Sequence, residues 1–327
     1  MPTFWQDLAG GTVGGVIGVT AVYPLDTVKS RLQTGGRYLG TVQVLSSMAA
    51  HEGLMSWYRG LLSPVAGYGA MFAVSFSSYG MASRFLQRRR KEDGRGGGSG
   101  EVFLWEKSAA GLFAGAMNSP FRTVFDRVKT VMQVRVGNGR AAPYSWSGAC
   151  AVDLARREGI MSGLFRGIES TMLREMLQCA IYYPSYEVTK DLLIRRRSRT
   201  GKSSVPEPAL QMLAGGIAGC ATWLPPVYCL DVIKTRIQSA EPGVYRGSWD
   251  CLRKTVRSEG TPVLLRGLGL SMLRAFPMHG LVFVGYEATI GLLADRENCP
   301  TAVLANTYFS SVQHRAFYPV DDKVRLL

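Results

Sequence analysis

The stretch VYPLDTVKSRLQ, residues 22–33, closes an apolar run, bends it at Pro24, and then sets Asp26 and Lys29 where a membrane-spanning pattern should stay oily. Related stretches recur as TVFDRVKTVMQV (123–134) and VYCLDVIKTRIQ (227–238), with Asp126 lying 100 residues after Asp26 and Asp231 a further 105 on. Each copy keeps one order: an apolar segment rich in small residues, Asp-x-x-Lys, a Gln four residues after the Lys (Gln33, Gln133, Gln238), a polar stretch, an acid-Gly pair and an Arg-Gly pair. The closures read EGLMSWYRG (52–60), EGIMSGLFRG (158–167) and EGTPVLLRG (259–267). Self-similarity at a fixed period changes a fold assignment more than any local signal.

Outward from these motifs, the spacing predicts helices over 5–34, 104–135 and 207–239, each followed by a second over 60–88, 167–195 and 267–294. TVQVLSSMAAHE, SGACAVDLARRE and SWDCLRKTVRSE, between the members of each pair, read as short amphipathic interfacial helices. Glycines four apart in the first helices (Gly10, Gly14, Gly18; Gly111, Gly115; Gly215, Gly219) let neighbouring helices approach closely. The organisation is therefore repeat 1 with its linker over 1–100, repeat 2 with its linker over 101–206, repeat 3 over 207–294, and a tail over 295–327.

In a chain of 327 residues, 46% hydrophobic and 19% charged, the apolar residues gather into 8–25, 61–82, 104–120, 171–194, 208–230 and 268–294, each near the roughly 20 residues of a bilayer crossing. The expected class is an all-α membrane protein with six transmembrane helices and both ends on one side. The net charge of +14 is scattered among loops such as RRRK (88–91) and RRRSR (195–199), where anionic lipid headgroups are a better partner than nucleic acid. Six cysteines form no CxxC pair, so no metal site is indicated. No nucleophile, phosphate loop or cofactor motif suggests an enzyme, and Asp7 before the first apolar segment argues against a cleavable leader.

Asp and Lys at i and i+3 share a helix face and can pair within that helix. Three copies suggest instead three faces around an axis, each Asp reaching a neighbour's Lys and closing one end of a central cavity, since intramembrane charges face partners or water. Desolvation costs several kcal/mol per ion, so such a ring adds little net stability and can open as readily as it closes.

These residues resemble the mitochondrial carrier family, through the threefold Pro-x-[Asp/Glu]-x-x-[Lys/Arg] motif with its Gln and the aromatic-[Lys/Arg]-Gly closure, over about residues 5–294. The resemblance implies a pseudo-threefold six-helix barrel in the mitochondrial inner membrane, a monomer working by alternating access, with a matrix-side gate of Asp26, Lys29, Asp126, Lys129, Asp231 and Lys234 braced by Gln33, Gln133 and Gln238. It also implies cardiolipin near Arg59-Gly60, Arg166-Gly167 and Arg266-Gly267, and near Gly40, Gly148 and Gly247. Two copies depart from the motif: Val124 and Cys229 replace the proline, while Pro120 and Pro225 stand one turn earlier. The opposite-side gate is worn: YEVTK keeps Tyr186, Glu187 and Lys190, YEATI keeps Glu287 without a base, and YGMAS has no acid.

Seven residues beyond Gly60, Gly167 and Gly267 stand Gly67, Arg174 and Arg274, with Tyr68, Glu175 and Ala275 beside them at one depth. Two arginines and an acid there suit a small solute carrying both carboxylate and cation, and Trp223 either offers a cation–π face or simply packs. The Arg-acid pair, with MFAVSF (71–76) and MLRAFPMHGLVFVGYE (272–287), resembles the branch carrying carnitine, acylcarnitines and amino acids. By that resemblance Arg274 takes the carboxylate, Glu175 the quaternary ammonium, and the room at Gly67 an acyl chain. A basic amino acid carrier (lysine, arginine, ornithine or histidine) and a non-transporting scaffold are the other readings.

Overall fold

The computed structural model describes residues 4–34, 40–92, 103–134, 144, 146–200 and 207–295; most of the two inter-repeat linkers and the tail lie outside them. The described residues form helices and turns only. Repeat 1 consists of α1 (Phe4–Gln33), α2 (Thr41–His51) and α3 (Leu62–Glu92). Repeat 2 consists of α4 (Leu104–Val134), α5 (Ser147–Glu158) and α6 (Ile168–Thr200). Repeat 3 begins with two helices, α7 (Glu207–Ala221) and α8 (Pro225–Ser239), and continues with α9 (Ser248–Glu259) and α10 (Leu268–Asp295).

The single helix expected over 207–239, kinked near Pro225, is in fact two helices, α7 and α8, that meet at 71°. Single prolines, Pro24 and Pro120, are absorbed inside α1 and α4. At Pro225-Pro226 two successive residues lack an N–H, their rings crowd the preceding turn, and Leu224 is held extended at φ −54, ψ 150. Thr222 Oγ1 donates to the Gly219 carbonyl at 2.7 Å, satisfying one acceptor that the broken ladder leaves behind.

The acid-Gly and Arg-Gly pairs are backbone devices. Gly53, Gly159 and Gly260 end the amphipathic helices, and Gly60, Gly167 and Gly267 open the next long ones, all at φ between 73 and 83, where a Cβ is strained. Between them a single turn reverses the chain. Apolar faces of α2, α5 and α9 seal three small cores: Val44 and Met48 against Val28 and Leu32, Cys150 and Leu154 against Val128 and Val131, and Cys251 against Ile233 and Ile237.

Among the described residues, α1 packs on α3, α3 on α4, α4 on α6, α6 on α7, α7 on α10 and α10 back on α1. Large apolar side chains including Val13, Ile17, Phe113, Met117, Phe121, Leu273 and Phe276 are exposed. Two stretches, Met55–Arg90 and Thr261–Leu293, are long and apolar enough to cross a bilayer, and the bent α7–α8 pair makes a third if taken as one span. Helices α1, α4 and α6 have the length, at 30, 31 and 33 residues, but carry charged side chains.

The glycine rows serve the packing unequally. A Cβ on Gly115 would lie 2.6 Å from the Glu175 carbonyl, and one on Gly111 2.7 Å from the Cys179 oxygen, so α4 and α6 touch backbone to backbone. Gly14 and Gly18 meet α10 similarly, whereas the nearest atom to a Cβ on Gly215 is the Tyr182 hydroxyl at 4.0 Å. Gly115→Ala is therefore expected to destabilise the detergent-solubilised chain by about 1–3 kcal/mol, the range for overpacking. Gly215→Ala should leave the melting temperature unchanged or raise it, because alanine is favoured over glycine in a helix by about 1 kcal/mol.

Candidate functional site

The three Asp-Lys pairs are joined between helices. Lys29 Nζ of α1 lies 2.7 Å from Asp231 of α8, Lys129 Nζ of α4 lies 2.6 Å from Asp26 of α1, and Lys234 of α8 pairs with Asp126 of α4. Four of the six ring residues, Asp26, Lys29, Asp231 and Lys234, are buried, while Asp126 and Lys129 are half-buried at the cavity. Aromatic faces support two of the lysines, with Lys29 4.1 Å from the Trp223 ring centroid and Lys129 5.0 Å from that of Tyr23.

Two of the three glutamines brace these seams. Gln33 donates to Asp231 at 2.9 Å and to the Tyr228 hydroxyl at 3.1 Å, and accepts from Thr235 at 3.0 Å. Gln133 donates to Thr27 at 3.1 Å and accepts from Ser30 at 2.8 Å. Gln238 corrects the expectation of three braces, since it is fully buried and neither amide atom has a hydrogen-bond partner among the described residues. Arg236 and Arg31 clamp the main-chain carbonyls of Gln33 and Gln133, at 2.9 and 3.1 Å; the register-equivalent residue on α4 is Val131, which cannot do the same for Gln238. Gln33→Leu is expected to cost about 1–3 kcal/mol, the range for stranding buried polar partners, while Gln238→Leu should be neutral or stabilising in the same thermal melt.

The acids of the acid-Gly pairs, to which the sequence assigned no partner, hold arginines below the ring. Arg31 grips Glu52 with two bonds of 2.7 and 2.9 Å, Arg236 grips Glu259 in the same way, and Arg127 reaches Glu158 at 3.0 Å. The bonds from Arg236 hold the Glu259 carboxyl below its ordinary range.

Next to the ring lies a cavity of about 350 Å³ whose wall includes Asp26, Asp126 and Lys129. Arg274 enters it from α10 and bonds Asp26 at 2.8 Å. Arg174 is not part of the wall; it lies 2.5 Å from Glu175 and 3.6 Å from both Asp126 and Asp231. Arg274 thus contacts a gate carboxylate directly, and Arg174 stands at ion-pair distance from two. Glu175 does line the cavity, but Arg174 and Arg122, at 3.6 Å, already face its carboxylate. Trp223 presents its ring to two cations of the chain, Lys29 at 4.1 Å and Arg274 at 5.6 Å. Tyr68 lines the wall, stacked on Phe72 at 5.1 Å.

Gly67 provides no room for a solute. A Cβ there would strike the Phe125 ring, and Gly67 is not in the wall, because Pro64, Tyr68, Met71, Phe72 and Ser75 form the cavity-facing stripe of α3. Arg122 was missed by the sequence reading, although it is an arginine inside an apolar segment like Arg274, because the search at one depth of the second helices passed over the first helices. The remaining wall includes Met212, Met278, Tyr182 and His279, the last two stacked at 5.9 Å.

At the other end, Glu187 pairs with Lys107 of α4 at 3.5 Å rather than with a base of its own motif, and Glu106 meets Arg90 at 3.6 Å. Tyr186 is fully buried against Ala214 and Ala218, and Lys190 is half-buried with no ion pair among the described residues. The Glu287 side chain lies outside the described residues.

A family model described as mitochondrial carrier protein matches residues 1–90, 100–197 and 204–297. The human mitochondrial carnitine/acylcarnitine carrier protein is 33% identical over 300 residues, covering 88% of this chain and 94% of its own. An Arabidopsis thaliana mitochondrial arginine transporter is 32% identical over 310 residues, covering 93% and 97%. The rat mitochondrial basic amino acids transporter is 32% identical over 300 residues, covering 89% and 91%.

Proposed function

The chain belongs to the mitochondrial carrier family, and from that premise we propose that it exchanges carnitine and acylcarnitines across the mitochondrial inner membrane by alternating access. The six long helical units, α7 and α8 counting as one, then cross the bilayer in three tandem repeats around a shared axis. The outward apolar residues face lipid, including cardiolipin, around a monomer.

The observation that carries the reading is the direct bond between Arg274 and Asp26. A solute carboxylate that takes Arg274 competes with Asp26, and Asp26 also holds Lys129 of the gate. Binding and gate release are then one electrostatic event. A buried ion ring is close to balanced between desolvation and attraction, so a solute that binds the intermediate state better by a few kcal/mol shifts it.

The acids in the cavity wall, Asp26, Asp126 and Glu175, all have bases within 3.6 Å, and much of the remaining wall is Met, Phe and Tyr. This favours a zwitterion with an apolar arm, its ammonium resting on aromatic faces as well as near Glu175. A basic amino acid, the second reading, brings one more cation, and among the described residues of the wall no acid is without a base within 3.6 Å to receive it. The deciding experiment is counter-exchange in proteoliposomes loaded with carnitine or with lysine. Uptake of labelled acylcarnitines into carnitine-loaded vesicles is expected. Uptake of lysine or arginine alone would select the second reading, and a folded chain moving neither would be a scaffold.

A further inference from the structure

We infer that Arg122 forms a second anion site in the same cavity, so that the preferred solute carries two carboxylates rather than one. The inference rests on the carrier reading above and adds a specificity element contributed by a first helix of a repeat.

Around the ring and cavity stand six bases, Lys29, Lys129, Lys234, Arg122, Arg174 and Arg274, against four carboxylates, Asp26, Asp126, Asp231 and Glu175. Two positive charges are left over among the described residues. Charges held in a low-dielectric site without partners are costly, so the excess favours an anionic occupant.

Arg122 is the base most open to one. Its Nε lies 3.4 Å from Asp126 and 3.6 Å from Glu175. Both acids have closer partners: Asp126 is paired with Lys234, and Glu175 lies 2.5 Å from Arg174. The Arg122 Nε is buried without a hydrogen bond, yet 35% of the side chain is exposed, and the residue lines the cavity. Arg274 and Arg174 are far less open, at 14% and 3%. One turn along α4, Asn118 also lines the cavity and is 4% exposed. Asn118, Arg122 and Asp126 follow one another at i, i+4 and i+8, a single helix face turned to the cavity. A guanidinium fork suits a carboxylate, with its two Nη groups donating.

Arg274 of α10 and Arg122 of α4 belong to different repeats, with Tyr68 also in the wall. A solute with a carboxylate at each end can engage both, whereas an acyl chain ending in a methyl leaves Arg122 uncompensated. The favoured class is therefore a zwitterionic ester whose acyl arm ends in a second carboxylate.

Succinylcarnitine and butyrylcarnitine share a headgroup and a four-carbon acyl arm and differ at its tip. The test is the stabilisation of the purified, detergent-solubilised full chain by each, and by succinate alone, titrated by melting temperature. In the unmodified chain succinylcarnitine should half-saturate at a concentration about tenfold lower than butyrylcarnitine, equivalent to about 1.4 kcal/mol. Arg122→Gln should erase that difference, bringing the two esters to the same half-saturation, and Arg122→Lys should keep part of it. The ligand-free melting temperature of each variant reports folding. Equal responses in the unmodified chain, or a difference that survives Arg122→Gln, overturn the inference and leave the carnitine reading intact. Stabilisation by succinate but by neither ester, lost with Arg122→Gln, keeps the Arg122 site and overturns the carnitine reading. No response to any of the three overturns both.

Discussion

Asp231→Lys is expected to abolish exchange, and adding Lys29→Asp to the same chain to restore part of it. Asp231 accepts from Lys29 at 2.7 Å and Gln33 at 2.9 Å, with Arg174 at 3.6 Å. A cation there strands Lys29, faces the Gln33 NH₂, and meets a buried arginine of like charge. Removing one partner of a buried pair costs about 3–5 kcal/mol. At about 1.4 kcal/mol per tenfold, exchange through a state that needs the closed ring falls at least about 100-fold. Reversing both charges rebuilds the α1–α8 couple, but Arg174 and Gln33 still face the wrong sign, so recovery should stop well short of the original rate. Initial uptake rates of the single and double variants in proteoliposomes read this directly. A double variant no better than Asp231→Lys would show that the pair does not act as a unit.

Arg274→Gln should reduce labelled carnitine uptake about 100-fold while lowering the melting temperature only slightly. The asymmetry follows from Asp26, which keeps Lys129 at 2.6 Å when Arg274 is gone and so is not left as an unpaired buried charge. On the proposed reading, the carboxylate of carnitine then loses its charge-assisted bidentate contact. Arg274→Lys should fall between, because an ammonium keeps the charge without the fork. If stability falls as steeply as uptake, Arg274 is a strut for Asp26 and not a solute contact.

The local grammar of the fold was legible in the chain. The acid-Gly and Arg-Gly pairs were legible as the recurring closure of each repeat, although their left-handed backbone emerged only in the structure, and the amphipathic helices followed from apolar residues at helical spacing. A bend at Pro225 was legible as well, but the full break over Thr222–Leu224 was not, because the repeat pattern argued for one helix through it. Arg122 carries the same signal as Arg274, an arginine within an apolar run, but stands on a first helix, where the symmetry of the second helices does not point to it.

What the sequence by itself determined is which residue types recur, in what order, and on which face of each helix they stand, since 3.6 residues per turn fixes face from spacing. Only the tertiary structure decided which helix each charge joins: Lys29 to Asp231, Lys129 to Asp26, Lys234 to Asp126. It also decided that Gln238 is left without the partners Gln33 and Gln133 find, that Phe125 fills the space at Gly67, and that Arg174 turns toward gate carboxylates behind the cavity wall. The reason is geometric. Spacing sets the direction of a side chain relative to its own axis, whereas its partner depends on how two helices are rotated and shifted against each other, and that is fixed by the packing of every other contact along the seam.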